Sequence, residues 1–249
     1  MYSESPVANA KNLTKRLVKA ILGRDHFLFP EVALPKVRLG TTYGGWFVAP
    51  GVLPRGQQPI VLSFGIGDDI SFDIQMISQY DARVYAFDPT PKSVAWLSRQ
   101  TGLPRAFEAF PCGVADHDGV QSFSRPTVPE WDDYSVRRDS ADKIDCSVKR
   151  ISTVVAELQL PRVDIIKMDI EGSEYSVLGD FCGGTLRPAQ MLIEFHHGRD
   201  GIPVSETTSV VAKLRALDYL IFDVSPWGRE FSFVHRMAIE AARQTARLA

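Results

Sequence analysis

The sequence predicts an α/β fold: a mostly parallel sheet with helices on both faces, closed by an antiparallel hairpin. Three observations predict it. From residue 60 onward, short apolar runs alternate with amphipathic segments, the pattern of successive βαβ units. The first of these units passes from strand to helix through Gly65-Ile66-Gly67-Asp68-Asp69, a tight turn of glycines and acids. The last two apolar runs are joined only by Ser225-Pro226-Trp227-Gly228-Arg229. That link is too short for a crossover helix, so those strands pair antiparallel.

Taken in order, residues 1–10 read as a tail. Asn12 to Leu22 reads as a short amphipathic helix, with Leu13, Leu17 and Ile21 on one face and Lys11, Lys15 and Lys19 elsewhere. Such a helix can lie on a membrane surface; packing on the domain with a solvated basic face is the preferred reading. Turn glycines at 40, 44, 45 and 51 flank Val37–Leu39 and Trp46–Val48, which read as a small hairpin. Residues 1–55 are therefore expected to form an extension, and 56–249 the main domain. Its strands are expected at 60–64, 83–87, 106–111, 163–168, 190–195, 219–224 and 230–235. Its helices are expected at 69–80, 91–100, 151–158, 172–180, 205–217 and 238–248. Ser122 to Arg150, with Trp131-Asp132-Asp133-Tyr134 and Arg137-Arg138, is polar and aperiodic. It reads as a lid or specificity loop, or equally as a surface excursion.

Composition bounds the function. The chain has 249 residues, 45% hydrophobic and 23% charged, which suffices for one well-packed domain. A formal net charge of -2 provides no field for nucleic acid. Cys112, Cys146 and Cys182 form no CxxC pair, which argues against a zinc site and suits a reducing compartment. No run reaches membrane-spanning length, so no stable membrane insertion is expected. The first residues carry Glu4 and lack an apolar signal core. The expectation is a cytoplasmic protein.

Five stretches carry the chemistry. The first is the glycine turn, whose Gly65 and Gly67 let a ligand approach bare backbone beside a helix start. A dinucleotide fingerprint needs a third glycine, and its absence disfavours a nicotinamide enzyme. The second is Asp88, at the end of Arg83-Val84-Tyr85-Ala86-Phe87, where an acid can accept both hydroxyls of a ribose. The third, Pro111 to Gly119, follows the third strand. There Asp116 can accept from an adenine amino group, or Asp118-Gly119 can simply turn a hairpin; both readings stand. The fourth, Val163-Asp164-Ile165-Ile166-Lys167-Met168-Asp169-Ile170-Glu171-Gly172-Ser173-Glu174, delivers Lys167, Asp169 and Glu171 by period-two alternation to a strand's carboxyl end. Ligands gather there in open α/β sheets. Charges in an apolar strand are costly unless paired or used, so Lys167 either pairs with Asp169 or Glu171 or works on a ligand. Glu174 suits a helix N-terminus. The fifth, Met191-Leu192-Ile193-Glu194-Phe195-His196-His197, brings Glu194 and His196 to the same edge, with His197 expected in an exposed turn. Asp169, Glu171, Glu194 and His196 together can also hold a divalent cation, with Mg2+ as the candidate.

These stretches resemble the FkbM-type methyltransferases. The resemblance spans roughly residues 60 to 200. It rests above all on Lys167-x-Asp169-x-Glu171-Gly172-x-Glu174 and Leu192-Ile193-Glu194-Phe195-His196, with Phe87-Asp88-Pro89 and Gly65-x-Gly67 in support. It implies the class I methyltransferase (Rossmann-like) fold and S-adenosylmethionine as cofactor. It also implies O-methylation of a sugar, glycolipid or polyketide-like hydroxyl. The family opens its first motif with an acid followed by Gly-Ala-Asn-x-Gly; here Ser63 replaces the acid and Asp69 stands at the last glycine. Ser63, Gly65, Gly67, Asp69, Asp88, Asp116, Asp169 and Glu171 are then the expected cofactor contacts. His196 is the expected base, with Glu194 or Asp169 orienting it and Lys167 completing the catalytic set. The loss of the first acid leaves a second possibility, a module that binds the cofactor without turnover.

Overall fold

The structure, a computed structural model, describes residues 6–23, 25–128 and 134–248. The chain opens with α1 (Pro6–Ile21), then the hairpin β1 (Val37–Leu39) and β2 (Trp46–Val48). The first βαβ unit is β3 (Ile60–Phe64), α2 (Ser71–Tyr80) and β4 (Arg83–Phe87), and α3 (Pro91–Leu97) and β5 (Phe107–Phe110) follow. Next come β6 (Gly113–Val114), β7 (Gly119–Ser124), β8 (Lys143–Lys149) and α4 (Ile151–Glu157). The chain then returns through β9 (Ile165–Met168), α5 (Glu174–Gly183), β10 (Gln190–Glu194) and α6 (Val204–Ala216). It ends in the hairpin β11 (Tyr219–Val224) and β12 (Glu230–His235), followed by α7 (Arg236–Leu248).

The main sheet has seven strands in the order β11-β12-β10-β9-β3-β4-β5. β10, β9, β3, β4 and β5 are mutually parallel, and β12 runs against both β10 and β11. This is the class I methyltransferase arrangement. From β3 the chain winds outward to β5, then comes back to lay β9 on the other side of β3. The reversal opens a crevice at the carboxyl ends of β3 and β9, the place where open α/β sheets bind ligands.

Strand alternation divides the core between two faces. Leu62, Phe64, Ile166 and Met168 pack in one cluster with Val154, Leu178 and Leu214 of α4, α5 and α6. Val61, Ile165 and Leu192 pack in the other with Phe72 and Met76 of α2 and Ile239 of α7. Leu39, Trp46 and Val48 of the β1–β2 hairpin belong to that second cluster. Because both faces are covered, the central strands read as continuous apolar runs.

Two readings change. The stretch from Ser122 to Arg150 is not wholly irregular. β7 and β8 pair antiparallel, β6 joins β8, and the result is a small second sheet. Its own core is Phe123, Tyr134, Cys146 and Val148. The strands are short and covered on one side only, so their alternation was drowned by polar residues. Arg137 and Arg138 tie the segment to Glu206 and Asp200; Trp131, Asp132 and Asp133 lie outside the described residues. The second change is in α1, which starts at Pro6 rather than Asn12. Among its described side chains the buried anchor is Arg16, bonded to Asp25 and the Leu28 carbonyl; Leu17 and Ile21 are exposed.

Candidate active site

The glycine turn is shaped by what lies against it. Gly65 has φ +75°, and a Cβ there would sit 1.6 Å from the carbonyl oxygen of Asp169. Only glycine lets the turn after β3 approach the turn after β9 so closely. The Gly65 N–H donates to the Phe87 carbonyl at 2.9 Å. Asp88 then pins the rest of the turn. Its Oδ2 accepts from the N–H groups of Ile66 and Gly67, each at 3.1 Å. Its Oδ1 accepts from the Thr90 N–H at 2.9 Å and hydroxyl at 2.7 Å. Asp69 accepts from Ser71 N–H at the head of α2 and from the Thr41 hydroxyl at 2.5 Å. It thus ties the site to the N-terminal hairpin.

Beneath the turn lies a buried polar group that sequence reasoning misjudged. Lys167, 6% exposed, pairs with neither Asp169 nor Glu171; its ammonium donates to the Gly65 carbonyl. In a parallel register Ser63 stands beside Lys167, which aims both at α2. There Asp73 projects from the first helical turn, almost wholly buried. Neither Ser63 Oγ nor Asp73 Oδ1 has a hydrogen-bond partner among the described residues. Burial pushes the Asp73 carboxyl up to about 6, against the pull of Lys167 and Ser63. Ser63 is therefore a support under the turn and not a cavity contact, which corrects its expected role. Asp73 gave no signal in the sequence because it looks like any first-turn acid.

The turn after β9 gathers the acids. Glu171 adopts φ 50° and Gly172 φ 99°, a conformation that costs a non-glycine residue about 1–2 kcal/mol. The strain turns the Glu171 carboxylate back onto His196 Nε2 at 3.3 Å and Arg199 at 3.1 Å. Asp169 lies 3.7 Å from the same Nε2, and Glu194 4.0 Å. On the other side of the ring, Glu174 accepts from the His196 N–H at 2.8 Å and faces Nδ1 at 3.2 Å. It also accepts from Gly172 N–H at 2.8 Å, so the residue expected only to start a helix is the inner brace of the cluster. Burial alone would lower the His196 pKa, but Glu174, Glu171 and Asp169 outweigh it and raise it to about 10. His196 is thus a buried imidazolium at neutral pH, 2% exposed and absent from the cavity wall. At that depth it does not stand on the wall where an acceptor hydroxyl would meet its expected proton acceptor. His197 is not in an exposed turn either. It is buried against His26 with Nδ1 3.1 Å from the Thr207 hydroxyl, and burial lowers its pKa to about 4.

The converging atoms of Asp169, Glu171 and His196 lie within 4.8 Å of one another. Mg2+ takes oxygen ligands and keeps much of its water, whereas this set includes a buried ring nitrogen, a donor that suits other metals. The donor set does not fit Mg2+.

All these turns open into one cavity of about 440 Å³ at the carboxyl edge of the sheet. Gly65, Gly67 and Lys167 lie on its wall, Tyr43 and Trp46 come from the hairpin, and Trp227 comes from the β11–β12 turn. Gly113, Phe123 and Tyr134 of the small sheet close the side where the third strand ends. Asp116 is not among the lining residues: it is exposed and paired with His117 at 2.9 Å. The turn after β6 directs it to solvent, which removes its expected adenine contact. Asp68, Asp69 and Asp88 line one side of the cavity and Asp169, Glu171, Glu194 and Glu230 the other. The lining cations are Lys167 and Arg199. Seven carboxyl groups against two cations leave the cavity acidic even with Glu194 and Glu230 protonated. Burial, then Asp169, raises Glu194 to about 8; burial, against Arg38 and reinforced by Asp169, raises Glu230 to about 7.

The methyltransferase FkbM domain matches residues 57–221. The chain belongs to the FkbM methyltransferase family. Among FkbM and other methyltransferase relatives, it is 29% identical over 141 residues to methyltransferase sdnD of Sordaria araneosa, covering 43% of this chain and 54% of that one. It is 23% identical over 168 residues to the hexuronic acid methyltransferase AglP of Haloferax volcanii, covering 62% of this chain and 69% of AglP. The crystal structure of a methyltransferase FkbM from Methylobacillus flagellatus superposes with a TM-score of 0.46 at 17% identity, covering 75% of this chain and 46% of that one. The chain thus spans about half the length of two of these three proteins.

Proposed function

We propose that this methyltransferase binds S-adenosylmethionine in the acidic cavity and moves its methyl group to a hydroxyl oxygen of a sugar, glycolipid or polyketide-like acceptor. The charge of the cavity carries the reading. A wall of seven carboxylates and two cations attracts a sulfonium and an ammonium and repels the pyrophosphate of a dinucleotide. Gly65 and Gly67 admit the cofactor's backbone-facing edge, Asp88 takes the ribose hydroxyls by exchanging donors with the turn, and Asp169 meets the cofactor's amino group. Asp69 and Glu171 hold the flanking turns. The sulfonium already activates its methyl carbon, so the protein aligns donor and acceptor and excludes water.

Proton removal falls to Glu194. It lines the cavity, and its raised pKa lies near working pH, where a general base is most effective. His196 positions it as a fixed positive charge behind the acids, and Lys167 holds the Gly65 carbonyl. The cytoplasm supplies such a cofactor and is the proposed compartment; no described helix is long and apolar enough to cross a membrane.

Calorimetry tests the reading. S-adenosylmethionine should bind more tightly than NAD, and near pH 7.5 its charge should expel protons from Glu194 and Glu230. That release appears as a dependence of the binding heat on buffer ionisation enthalpy. NAD binding in preference, or no proton release, refutes the cavity assignment. Cofactor binding without label transfer to any sugar, lipid or polyketide hydroxyl would favour the second reading, a non-catalytic binding module, which the replacement of the first-motif acid by Ser63 supports.

A further inference from the structure

The described leucine, valine and isoleucine side chains of the N-terminal helix α1 face solvent. Leu17 is 45% exposed, Val18 51%, Ile21 76% and Leu22 61%. Positions 17, 18, 21 and 22 fall on one face by helical spacing. The helix is held to the domain by Arg16, whose guanidinium bonds Asp25 and the Leu28 carbonyl. It packs so tightly on Gly228 that a Cβ there would lie 2.7 Å from Arg16 Nε. Among the described side chains of α1, a charged anchor is buried while the leucine–isoleucine stripe stays outside.

Charge says what covers the stripe. Residues 6–22 contain no Asp or Glu and carry Lys11, Lys15, Arg16 and Lys19. Lys15 and Lys19 are exposed beside the stripe. An apolar face flanked by lysines fits the boundary between acyl chains and anionic headgroups. Position adds to this. Gly228, which receives Arg16, follows Trp227, a residue 50% exposed that also lines the cavity. The stripe and one wall of the cavity therefore meet through a single anchor.

We propose that α1 docks this protein on an anionic lipid surface, with Leu17, Ile21 and Leu22 entering the interface and Lys15 and Lys19 at the headgroups. Resting on the methyl-transfer reading above, the acceptor class that follows is a hydroxyl carried on a lipid and presented at that surface.

The test is sedimentation of the full chain with vesicles of phosphatidylcholine alone or mixed with phosphatidylglycerol. Binding is expected to the mixed vesicles only, and to weaken with added salt. Ile21→Glu should weaken it tenfold or more, since an interfacial isoleucine is lost. Lys15→Glu and Lys19→Glu should each weaken it about fivefold or more. Circular dichroism and S-adenosylhomocysteine affinity should be unchanged in all three, because none of these residues touches the core or the cavity. No binding to mixed vesicles, or undiminished binding of Ile21→Glu, overturns the proposal. So does a dimer in ultracentrifugation that Ile21→Glu splits while vesicles are ignored, which would make the stripe a contact between copies. Cofactor calorimetry without vesicles keeps the two readings apart: vesicle binding without cofactor binding sinks only the methyl-transfer reading, and the converse sinks only the docking.

Discussion

Gly65→Ala puts the architecture of the site to a direct test. The backbone at φ +75° costs an alanine about 1–2 kcal/mol. The larger effect is steric. The new Cβ would lie 1.6 Å from the Asp169 carbonyl oxygen, where an ordinary contact needs about 3.4 Å. The turns after β3 and β9 must separate by close to the difference, and the Lys167 bond to the Gly65 carbonyl is stretched or lost. A charge-assisted bond is worth about 1.5–3 kcal/mol, so the total loss is about 2.5–5 kcal/mol. For a chain of this size that lowers Tm by roughly 5–20 °C. Both displaced turns line the cavity, and a misplacement of about 1 Å can cost 100-fold in turnover. The assays are thermal unfolding and S-adenosylhomocysteine titration. Gly179→Ala in α5 is the control: nothing lies within 4 Å of its added methyl, and alanine favours a helix interior, so its Tm should hold or rise. A Gly65→Ala protein with unchanged Tm and unchanged affinity would refute the claimed contact between the two turns.

Glu194→Gln should cut kcat by about 100-fold or more and abolish a rise in kcat/KM with pH that levels above about 8 in the parent; a surviving limb would assign the proton to another group. His196→Ala should destabilise the fold by about 3–5 kcal/mol, because Glu174 is left buried without its cation. The folded pKa of about 10 lies above the unfolded value, so the stability from His196 is complete below about pH 6.5 and fades as pH climbs through 10. Unfolding curves of the two proteins should accordingly converge at alkaline pH. Asp73 binds its proton more tightly folded than unfolded, so its contribution to stability falls as pH rises from about 4 to 6. Asp73→Asn should therefore match the parent near pH 4 and melt higher at pH 8; a lower Tm at pH 8 would make the Asp73 carboxylate the required counter-ion of Lys167.

The chain dictates its own elements and the edge where they converge. β3, β4, β9, β10 and the closing hairpin were readable because a strand buried on both faces must be apolar throughout and its connections must turn. Asp88, Asp169 and Glu194 were placed on one rim by the same logic, since each follows or ends a strand of the parallel set. Protonation and direction were not readable. His196 becomes a cation because Glu174, 22 residues earlier in the chain and in another element, braces it from behind. Asp73 meets Lys167 only because α2 lies across that face of β9, and Asp116 leaves the site because β6 turns away from it. Local pattern fixes which face of a strand or helix is apolar; whether a charged group is buried, and beside which other charge, depends on neighbours brought from far along the chain, and only the packed fold supplies those.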